Sequence, residues 1–243
     1  MKLRTLLSAP LAAALALSLT ACGSQPGATG GSSAPSLSAT SQSINAKSRD
    51  QVADGGELKL PIGSLADNWN PMNVDGNQVD FTNVRQPMSP YFFDFAADGT
   101  ATFDKNYLTK EPTATVTNGK LTVEFNLNPK AIWNDGTKIS LADFQATAKA
   151  CNGEDSTFNC ATTDGYDQID TITQGATEND IQVNFKTTYP DWKGVFLTGP
   201  ARAASVATAD VFNNGWKTLE GHDGWFSGSY KLGSFDLTNQ IIT

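Results

Sequence analysis

The segment from Leu121 to Ala150, LTVEFNLNPKAIWNDGTKISLADFQATAKA, constrains the fold of this chain more than any other. Apolar and polar side chains alternate from Leu121 to Leu127, which is typical of a strand with one buried and one wet face. Pro129 ends this strand because proline cannot donate to a β-ladder, and Gly136 suits the positive φ of a tight turn. Ser140 is a favourable residue to open a helix. The segment therefore predicts a strand, a turn and a helix running to Ala150, without a catalytic pairing or a ligand cluster.

Charge and composition exclude several classes of function. The 243 residues carry a formal net charge of −8, whereas nucleic-acid binding needs concentrated Lys and Arg. The chain has one histidine, His222, and three cysteines, Cys22, Cys151 and Cys160. Most metal sites and histidine-based catalytic sites need more of these side chains. We therefore expect no nucleic-acid partner, no metal site and no cofactor.

The N-terminus has the pattern of an export signal. Lys2 and Arg4 form a positive region, and the apolar run from Leu6 to Leu19 is too short for a membrane-spanning helix. The following Leu-Thr-Ala-Cys resembles the bacterial lipobox, in which the cysteine, here Cys22, is lipidated and becomes the first mature residue. We expect residues 1–21 to be a signal peptide and the protein to be lipid-anchored on the extracellular or periplasmic side of the cell membrane. The alternative is an ordinary secretory signal with a cysteine there by chance.

A tether and then a folded part follow the signal. Residues 22–56 are rich in Gly, Ser, Ala and Thr, so they cannot bury enough apolar surface to offset the entropy of ordering. We expect a disordered, lipid-anchored tether that lets the folded part, residues 57–243, reorient at the membrane surface. The same composition is equally consistent with a tether whose sole role is to hold the folded part beyond the cell envelope.

The start of the folded part contains the candidate binding residues. Alternating leucines predict a first strand over Glu57–Ile62, and a short helix is expected over Gln78–Gln86. Between them, Asn68, Trp69 and Asn70 lie in a polar loop. Binding residues are often found on loops held by a rigid sheet, so these three are the candidate ligand-binding residues. The alternative interpretation of Trp69 is that it plugs the edge of the core.

The remaining sequence predicts further short elements. Asn118-Gly119 is a hairpin signal. Strands and helices are expected on both sides of it and towards the C-terminus: strands near Thr113–Val116, Ile181–Phe185 and Tyr230–Phe235, and helical segments beginning near Tyr189 and within Pro200–Asn214.

Cys151 and Cys160 enclose a polar, turn-rich segment. In an exported protein two such cysteines are expected to form a disulfide, and closing a loop of about ten residues is worth about 2.5–3 kcal/mol in the chain-entropy model. A metal site with Glu154 and Asp155 is an alternative, although two thiols and two carboxylates without histidine would be an unusual ligand set. A redox role is a weaker alternative, because the spacing is not C-x-x-C.

Several motifs, in order, carry a family resemblance. The stretches VEFNL, IWNDGTK and SLADF resemble the W-x-F-x-L-R strand, K-W-x-D-G-x-P turn and T-A-x-D-V helix of the family 5 solute-binding proteins of ABC importers, the oligopeptide, dipeptide and nickel group. Trp69-Asn70-Pro71, Tyr189-Pro190-Asp191 and Gly228–Leu232 are similar to the L-N-P, P-Y-P-D-F and G-P-Y-K-L segments. Departures from the pattern are Ser140-Leu141 for Thr-Ala, Asn126 for a basic residue and Ser229 for Pro.

The resemblance implies a fold and an architecture. It implies an α/β fold like that of the type II periplasmic binding proteins, in which mixed sheets and flanking helices form the first lobe. Family members are two-lobed and longer, so we expect this chain to be an N-terminal portion in which the second lobe is missing.

The function implied is a substrate-binding lipoprotein that captures a peptide or a related small solute and delivers it to an ABC permease. We expect a monomer without catalytic activity. One alternative is a secreted carboxylate-based hydrolase. Gly224–Gly228 superficially resembles a nucleophile elbow, but it does not fit G-x-S-x-G, and its one candidate base is His222 on the same loop. An adhesive surface lipoprotein is the other alternative.

Overall fold

The computed structural model describes residues 47–63, 65 and 67–243, and it divides the chain into two units, Met1–Leu58 and Lys59–Thr243. In the first unit, the described residues are exposed and include one turn of 3-10 helix, Arg49–Gln51. The predicted signal peptide, Cys22 and most of the predicted tether lie outside the described residues. Within the described part of the chain, no helix has the length and apolar character needed to cross a membrane.

The second unit contains short helices and three antiparallel sheets. The α-helices are α1 (Val79–Arg85), α2 (Leu141–Cys151), α3 (Trp192–Val195) and α4 (Ala209–Asn214). Turns of 3-10 helix lie at Gln86–Met88, Ala203–Val206 and Asp223–Trp225. The strands are β1 (Phe93–Phe95), β2 (Ala101–Phe103), β3 (Thr113–Thr117), β4 (Lys120–Asn126), β5 (Ile169–Gln174), β6 (Asp180–Phe185), β7 (Phe235–Asp236) and β8 (Ile241–Ile242).

The largest sheet has four strands in the order β3-β4-β6-β5, while β1-β2 and β7-β8 form separate pairs. β3 and β4 form the predicted hairpin, whose turn residues Asn118 and Gly119 have φ values of 52° and 76°. Positive φ at both positions matches the right-handed twist of the flanking strands, which explains the preference for Asn-Gly in this turn. The predicted hairpin is therefore confirmed.

The opening segment folds as its pattern predicts. β4 buries Leu121, Val123 and Phe125 and leaves the intervening side chains partly exposed, so one face of the sheet is in the core. Phe125 packs on Phe144 of α2 with ring centroids 5.7 Å apart, and Phe144 packs on Phe196 at 4.8 Å. This aromatic core joins the sheet to α2 and to the segment after α3.

A second core and a smaller third one lie outside the large sheet. The second is built from aromatic and aliphatic side chains of the loop before α1, of α1 itself and of the C-terminal region: Trp69, Phe81, Met88, Trp216, Leu219, Phe226 and Phe235. The third packs the end of α2 on α4 through Ala150, Cys151, Val206 and Phe212.

Three sequence predictions need correction. The final strand expected over Tyr230–Phe235 begins only at Phe235, because its partner strand β8 pairs with Phe235 and Asp236 alone, and Tyr230 is exposed. Residues 57–62 form no strand, and Leu58 and Leu60 are 82% and 72% exposed. Alternation alone does not make a strand, because the backbone also needs a neighbouring strand to bond with, and none of the described sheets includes this segment. The predicted helical segment Pro200–Asn214 is interrupted, because Thr208 has extended backbone and accepts a hydrogen bond from the Val211 N–H, which starts α4 anew.

Candidate functional site

The predicted binding loop is largely packed into the core. Trp69 is 0% exposed, with its ring 5.1 Å from Phe81 and 5.4 Å from Phe235, centroid to centroid. In this structure the Trp69 ring has no exposed surface that a ligand could contact. The structure thus gives it the packing role that was the alternative interpretation.

Asn68 and Asn70 are also buried, and their amides stabilise the loop. The Asn68 side chain donates to the Asn213 carbonyl at 2.9 Å and accepts from the Asn70 N–H at 2.9 Å. The Asn70 side chain donates to the Phe212 carbonyl at 2.9 Å and accepts from the Met72 N–H at 3.0 Å. These bonds fix the loop to the C-terminal end of α4. Of the three predicted residues, Asn70 lines the main cavity described next, and Asn68 and Trp69 are not part of its lining.

That cavity has a volume of about 320 Å³, which is in the size range of small-molecule sites. Its walls come from the loop before α1, the end of α1, the Trp133 turn, the segment after α3 and the C-terminal loop. Its lining includes aromatic and basic side chains, among them Arg85, Tyr91, Trp133, Tyr166, Arg202 and Trp225. The sequence reasoning did not predict any of these six as site residues.

Arg202 is held between two carboxylates. Its Nη1 is 3.3 Å from Asp143 Oδ1 and its Nη2 is 3.4 Å from Asp135 Oδ2. The guanidinium carbon lies 5.9 Å from the centroid of the Trp133 ring, a cation–π distance. The positive charge of Arg202 is therefore balanced within the protein.

Asp143 is the centre of this arrangement. It is 0% exposed, and its carboxylate accepts hydrogen bonds from Trp133 Nε1 at 3.1 Å, from the Ser140 N–H at 2.9 Å and from the Ala203 N–H at 2.8 Å. The bond from Ser140 belongs to a capping box at the start of α2. The motif residues Trp133 and Asp143 thus have a structural role, because they join the turn, α2 and the Arg202 segment.

Arg85 is in a different environment. It is 3% exposed and lies at the end of α1, where Nε donates to the Phe81 carbonyl at 3.0 Å and Nη1 to the Trp69 carbonyl at 2.9 Å. Nη2 donates to Thr82 Oγ1 at 3.3 Å. Burial lowers the pKa of Arg85 from 12.5 to about 10, and the interaction with Tyr91 offsets this in part. Arg85 therefore remains charged at neutral pH.

Two tyrosines contribute to the same cavity. Burial raises the pKa of Tyr91, although Arg85 acts in the opposite direction, so the phenol is neutral at physiological pH. Tyr166 donates its hydroxyl hydrogen to the Val195 carbonyl at 2.7 Å, and burial raises its pKa as well. Tyr166 is therefore fixed as part of the wall.

A disulfide supports another part of the wall. Cys151 and Cys160 are joined, with Cα atoms 5.7 Å apart. The closed loop and the residue after it are bonded to the loop before α1, since Val74 N–H donates to the Asn159 carbonyl at 2.9 Å and Ala161 N–H to the Met72 carbonyl at 2.8 Å. No group of three or more potential metal ligands occurs among residues 47–63, 65 and 67–243.

The hydrolase alternative gains no support from the C-terminal loop. His222 stacks on Trp225 with ring centroids 3.7 Å apart, whereas Ser227 donates its hydroxyl hydrogen to the Ile132 carbonyl at 2.6 Å. Desolvation lowers the pKa of His222. Ser227 is thus bonded to a backbone oxygen instead of a catalytic base.

The missed residues differ in how well sequence could have revealed them. Arg85 follows Phe81 by four positions, so the two lie on one face of the predicted helix, and an arginine on an apolar face signals a buried charge. Arg202 gives no such signal, because its partners Asp135 and Asp143 are far away in sequence.

No family model matches the sequence. Among curated proteins, the oligopeptide-binding protein OppA of Mycobacterium tuberculosis and that of Mycobacterium bovis are each 32% identical to this chain over 206 residues. The matched region is 84% of this chain but 34% of the relative, so the chain spans about one third of the length of these relatives.

Solved structures show the same fold. A periplasmic EDTA-binding protein, EppA, superposes with a TM-score of 0.63 at 25% identity, over 70% of this chain and 32% of that chain. NikZ from Campylobacter jejuni, in complex with Ni(L-His), gives a TM-score of 0.53 at 12% identity, over 74% of this chain and 32% of that one. The predicted fold class is confirmed: the chain has the α/β fold of type II periplasmic binding proteins, over about a third of such a protein.

Proposed function

We propose, from the premise that this chain belongs to the family 5 solute-binding proteins of ABC importers, that it forms one wall of a solute-binding cleft. The whole protein would capture a peptide or a related small solute outside the membrane and deliver it to a permease. The observation that carries this proposal is the cavity lined by Arg85, Tyr91, Trp133, Arg202 and Trp225. Concave sites that combine aromatic walls with polar groups able to orient a ligand are typical of small-molecule binding.

The relatives narrow the class of solute. The mycobacterial proteins bind oligopeptides, by their name, and EppA binds EDTA. Peptides have a backbone that can be held by hydrogen bonds with little selectivity for side chains. We therefore propose a peptide as the first candidate and a polycarboxylate chelate as the second.

Binding without catalysis follows from the same proposal. The relatives are named as binding proteins, and a protein of this kind couples ligand binding to a shift between open and closed forms without making or breaking a bond. We propose that the protein is a monomer and has no enzymatic activity.

The proposed location is the outer side of the cell membrane. Residues 1–21 would be removed, Cys22 would carry the lipid, residues 22–56 would be the tether, and residues 57–243 would form the first, incomplete lobe. Mass spectrometry of the mature N-terminus in the native host tests the anchor. An unmodified Cys22 would contradict it.

Calorimetry tests the binding function. The full-length gene product, titrated with pools of tripeptides to nonapeptides and separately with EDTA and its metal chelates, should release heat with at least one of them. Absence of heat with every one of these solutes would overturn the proposal. Turnover of the bound peptide would overturn the assignment as a non-enzyme.

A further inference from the structure

We propose that Arg85, with Tyr91, forms an anion site in the wall of the cavity and receives a carboxylate group of the solute. This inference rests on the proposed function, because it names the chemical class of ligand for the same cavity. It starts from Arg85, a guanidinium that is 3% exposed and lines the cavity.

The charge of Arg85 has no counter-charge within the described part of the chain. Its bonded acceptors are two backbone carbonyls and the Thr82 hydroxyl, all of them neutral. Buried charges are normally paired, since an ion that is taken out of water loses its favourable hydration at a cost in free energy. A negatively charged group from the ligand would offset that cost.

Arg85 also has donors to spare. A guanidinium has five N–H bonds in a planar fork, and three of them are used, one on each nitrogen. The second N–H of Nη1 and that of Nη2 are therefore left for a ligand. Carboxylate and guanidinium groups pair in this geometry through two parallel bonds.

Tyr91 complements Arg85. Its phenol lines the same cavity and interacts electrostatically with Arg85, and no side-chain hydrogen bond of its hydroxyl occurs among the described residues. A neutral phenol can donate a hydrogen bond to an anion. The two side chains together offer positive charge and a hydroxyl donor to the same group.

The second arginine of the cavity does not compete for this role. Arg202 is already paired with Asp135 and Asp143, so it adds little net positive charge to the cavity. The rest of the lining combines aromatic side chains, such as Trp133, Tyr166 and Trp225, with small and uncharged polar residues and one further carboxylate, Asp164. A ligand with one carboxylate and an adjacent apolar group would fit this distribution of charge.

The competing interpretation is that Arg85 only ties α1 to the binding loop. Its bonds to the Phe81 and Trp69 carbonyls would serve that purpose without any ligand. The two interpretations differ in one respect, because only an anion site makes binding depend on the charge of the ligand.

Calorimetry on the full-length protein with matched peptide probes distinguishes an anion site from a purely structural role of Arg85. Ala-Ala-Ala as the free acid is compared with its C-terminal amide, and the amide of Ala-Glu-Ala with that of Ala-Gln-Ala. The first pair tests a terminal carboxylate and the second a side-chain carboxylate. We expect the carboxylate form of at least one pair to bind about 10- to 100-fold more tightly, since hydrogen bonds to charged groups are worth about 1.5–3 kcal/mol.

Variants assign that preference to Arg85. Arg85→Met should reduce it to less than about threefold, and Tyr91→Phe should weaken it in part by removing one donor. Lys120→Met is the matched control, because it also removes one cation but lies on the exposed sheet hairpin. It should leave the preference unchanged. A preference that survives in folded Arg85→Met protein would overturn the proposal.

A crystal of the full-length protein grown in bromide gives a readout that is independent of peptides and of variant folding. We expect an anomalous peak in contact with the Arg85 guanidinium and the Tyr91 hydroxyl. Bromide found only at surface lysines would overturn the anion site. If none of the peptide probes and pools binds while bromide occupies Arg85, the peptide function fails and the anion site stands.

Discussion

Arg202 and Arg85 line the same cavity but have opposite electrostatic surroundings. Arg202 is part of a closed network with Asp135 and Asp143, and it stacks over Trp133. Arg85 is more deeply buried and has only neutral acceptors. One wall of the cavity is therefore internally balanced and serves as scaffold, whereas the other carries a charge that a ligand can satisfy.

The largest effect is expected at the centre of the balanced wall. Asp143→Ala removes the acceptor of the Trp133, Ser140 and Ala203 N–H groups and weakens the hold on Arg202. Buried donors left without a partner and a broken buried ion pair should together lower the free energy of unfolding by about 3–5 kcal/mol. Urea denaturation followed by circular dichroism measures this.

A surface carboxylate gives the matched control for Asp143. Asp170 is partly exposed and pairs with Lys120 on the sheet. Asp170→Ala should cost less than about 1 kcal/mol, as exposed ion pairs do. If Asp143→Ala were no more costly than Asp170→Ala, the scaffold role of the network would be wrong.

Loss of the disulfide should rank second. In the double variant Cys151→Ser, Cys160→Ser, the loop bonded to Asn73 and Val74 is no longer closed covalently. The chain-entropy model predicts a loss of about 2.5–3 kcal/mol. Chemical denaturation should show this loss for the variant, and reducing agent should lower the stability of the wild type but not that of the variant.

The two arginines themselves should differ by about 1–2 kcal/mol in the absence of ligand. Arg202→Met leaves Asp143 buried without its ion pair, whereas Arg85→Met removes a charge that has no counter-charge among the described residues. Breaking a buried ion pair is strongly destabilising, whereas removing an unpaired buried charge also removes the cost of keeping that charge out of water. Urea unfolding of both variants tests the comparison, and equal losses would contradict it.

The smallest effect concerns the pH dependence of stability at His222 in the C-terminal loop. Desolvation against Trp225 lowers the pKa of His222 below its unfolded value of 6.5. The unfolded chain is then protonated first as pH falls, so stability is complete above pH about 6.5 and decreases slightly below it. In His222→Gln, the denaturation midpoint should depend less on pH between pH 7.5 and 5.5. An unchanged slope would show that His222 does not cause the pH dependence of stability.

Local patterns in the sequence predicted the scaffold well. The strand, turn and helix from Leu121 onwards, the Asn118-Gly119 hairpin and α1 all depend on periodicity and turn chemistry within a few residues. The same reasoning failed for Leu58 and Leu60, since a strand also needs a neighbour that the pattern does not reveal. Local order is thus predictable where the interactions are local.

The cavity could not be predicted in the same way, because its walls meet only after folding. Trp69 is an aromatic residue in a polar loop, which is typical of a pocket, yet its packing on the distant residue Phe235 buries it. Arg85 contacts the Trp69 carbonyl, and Arg202 contacts Asp143, across long stretches of sequence. The resemblance to a solute-binding family implies a cleft, but the side chains of this cavity come from segments that only the folded chain brings together.

A crystal structure of the full-length protein with a bound peptide would show directly whether this cavity is part of the binding site. We predict that the peptide occupies the cavity, with a carboxylate on Arg85 and Tyr91, while the Arg202 ion pairs remain intact. A peptide bound elsewhere, with the cavity between Arg85 and Trp225 filled only by water, would contradict the assignment of this wall as part of the binding site.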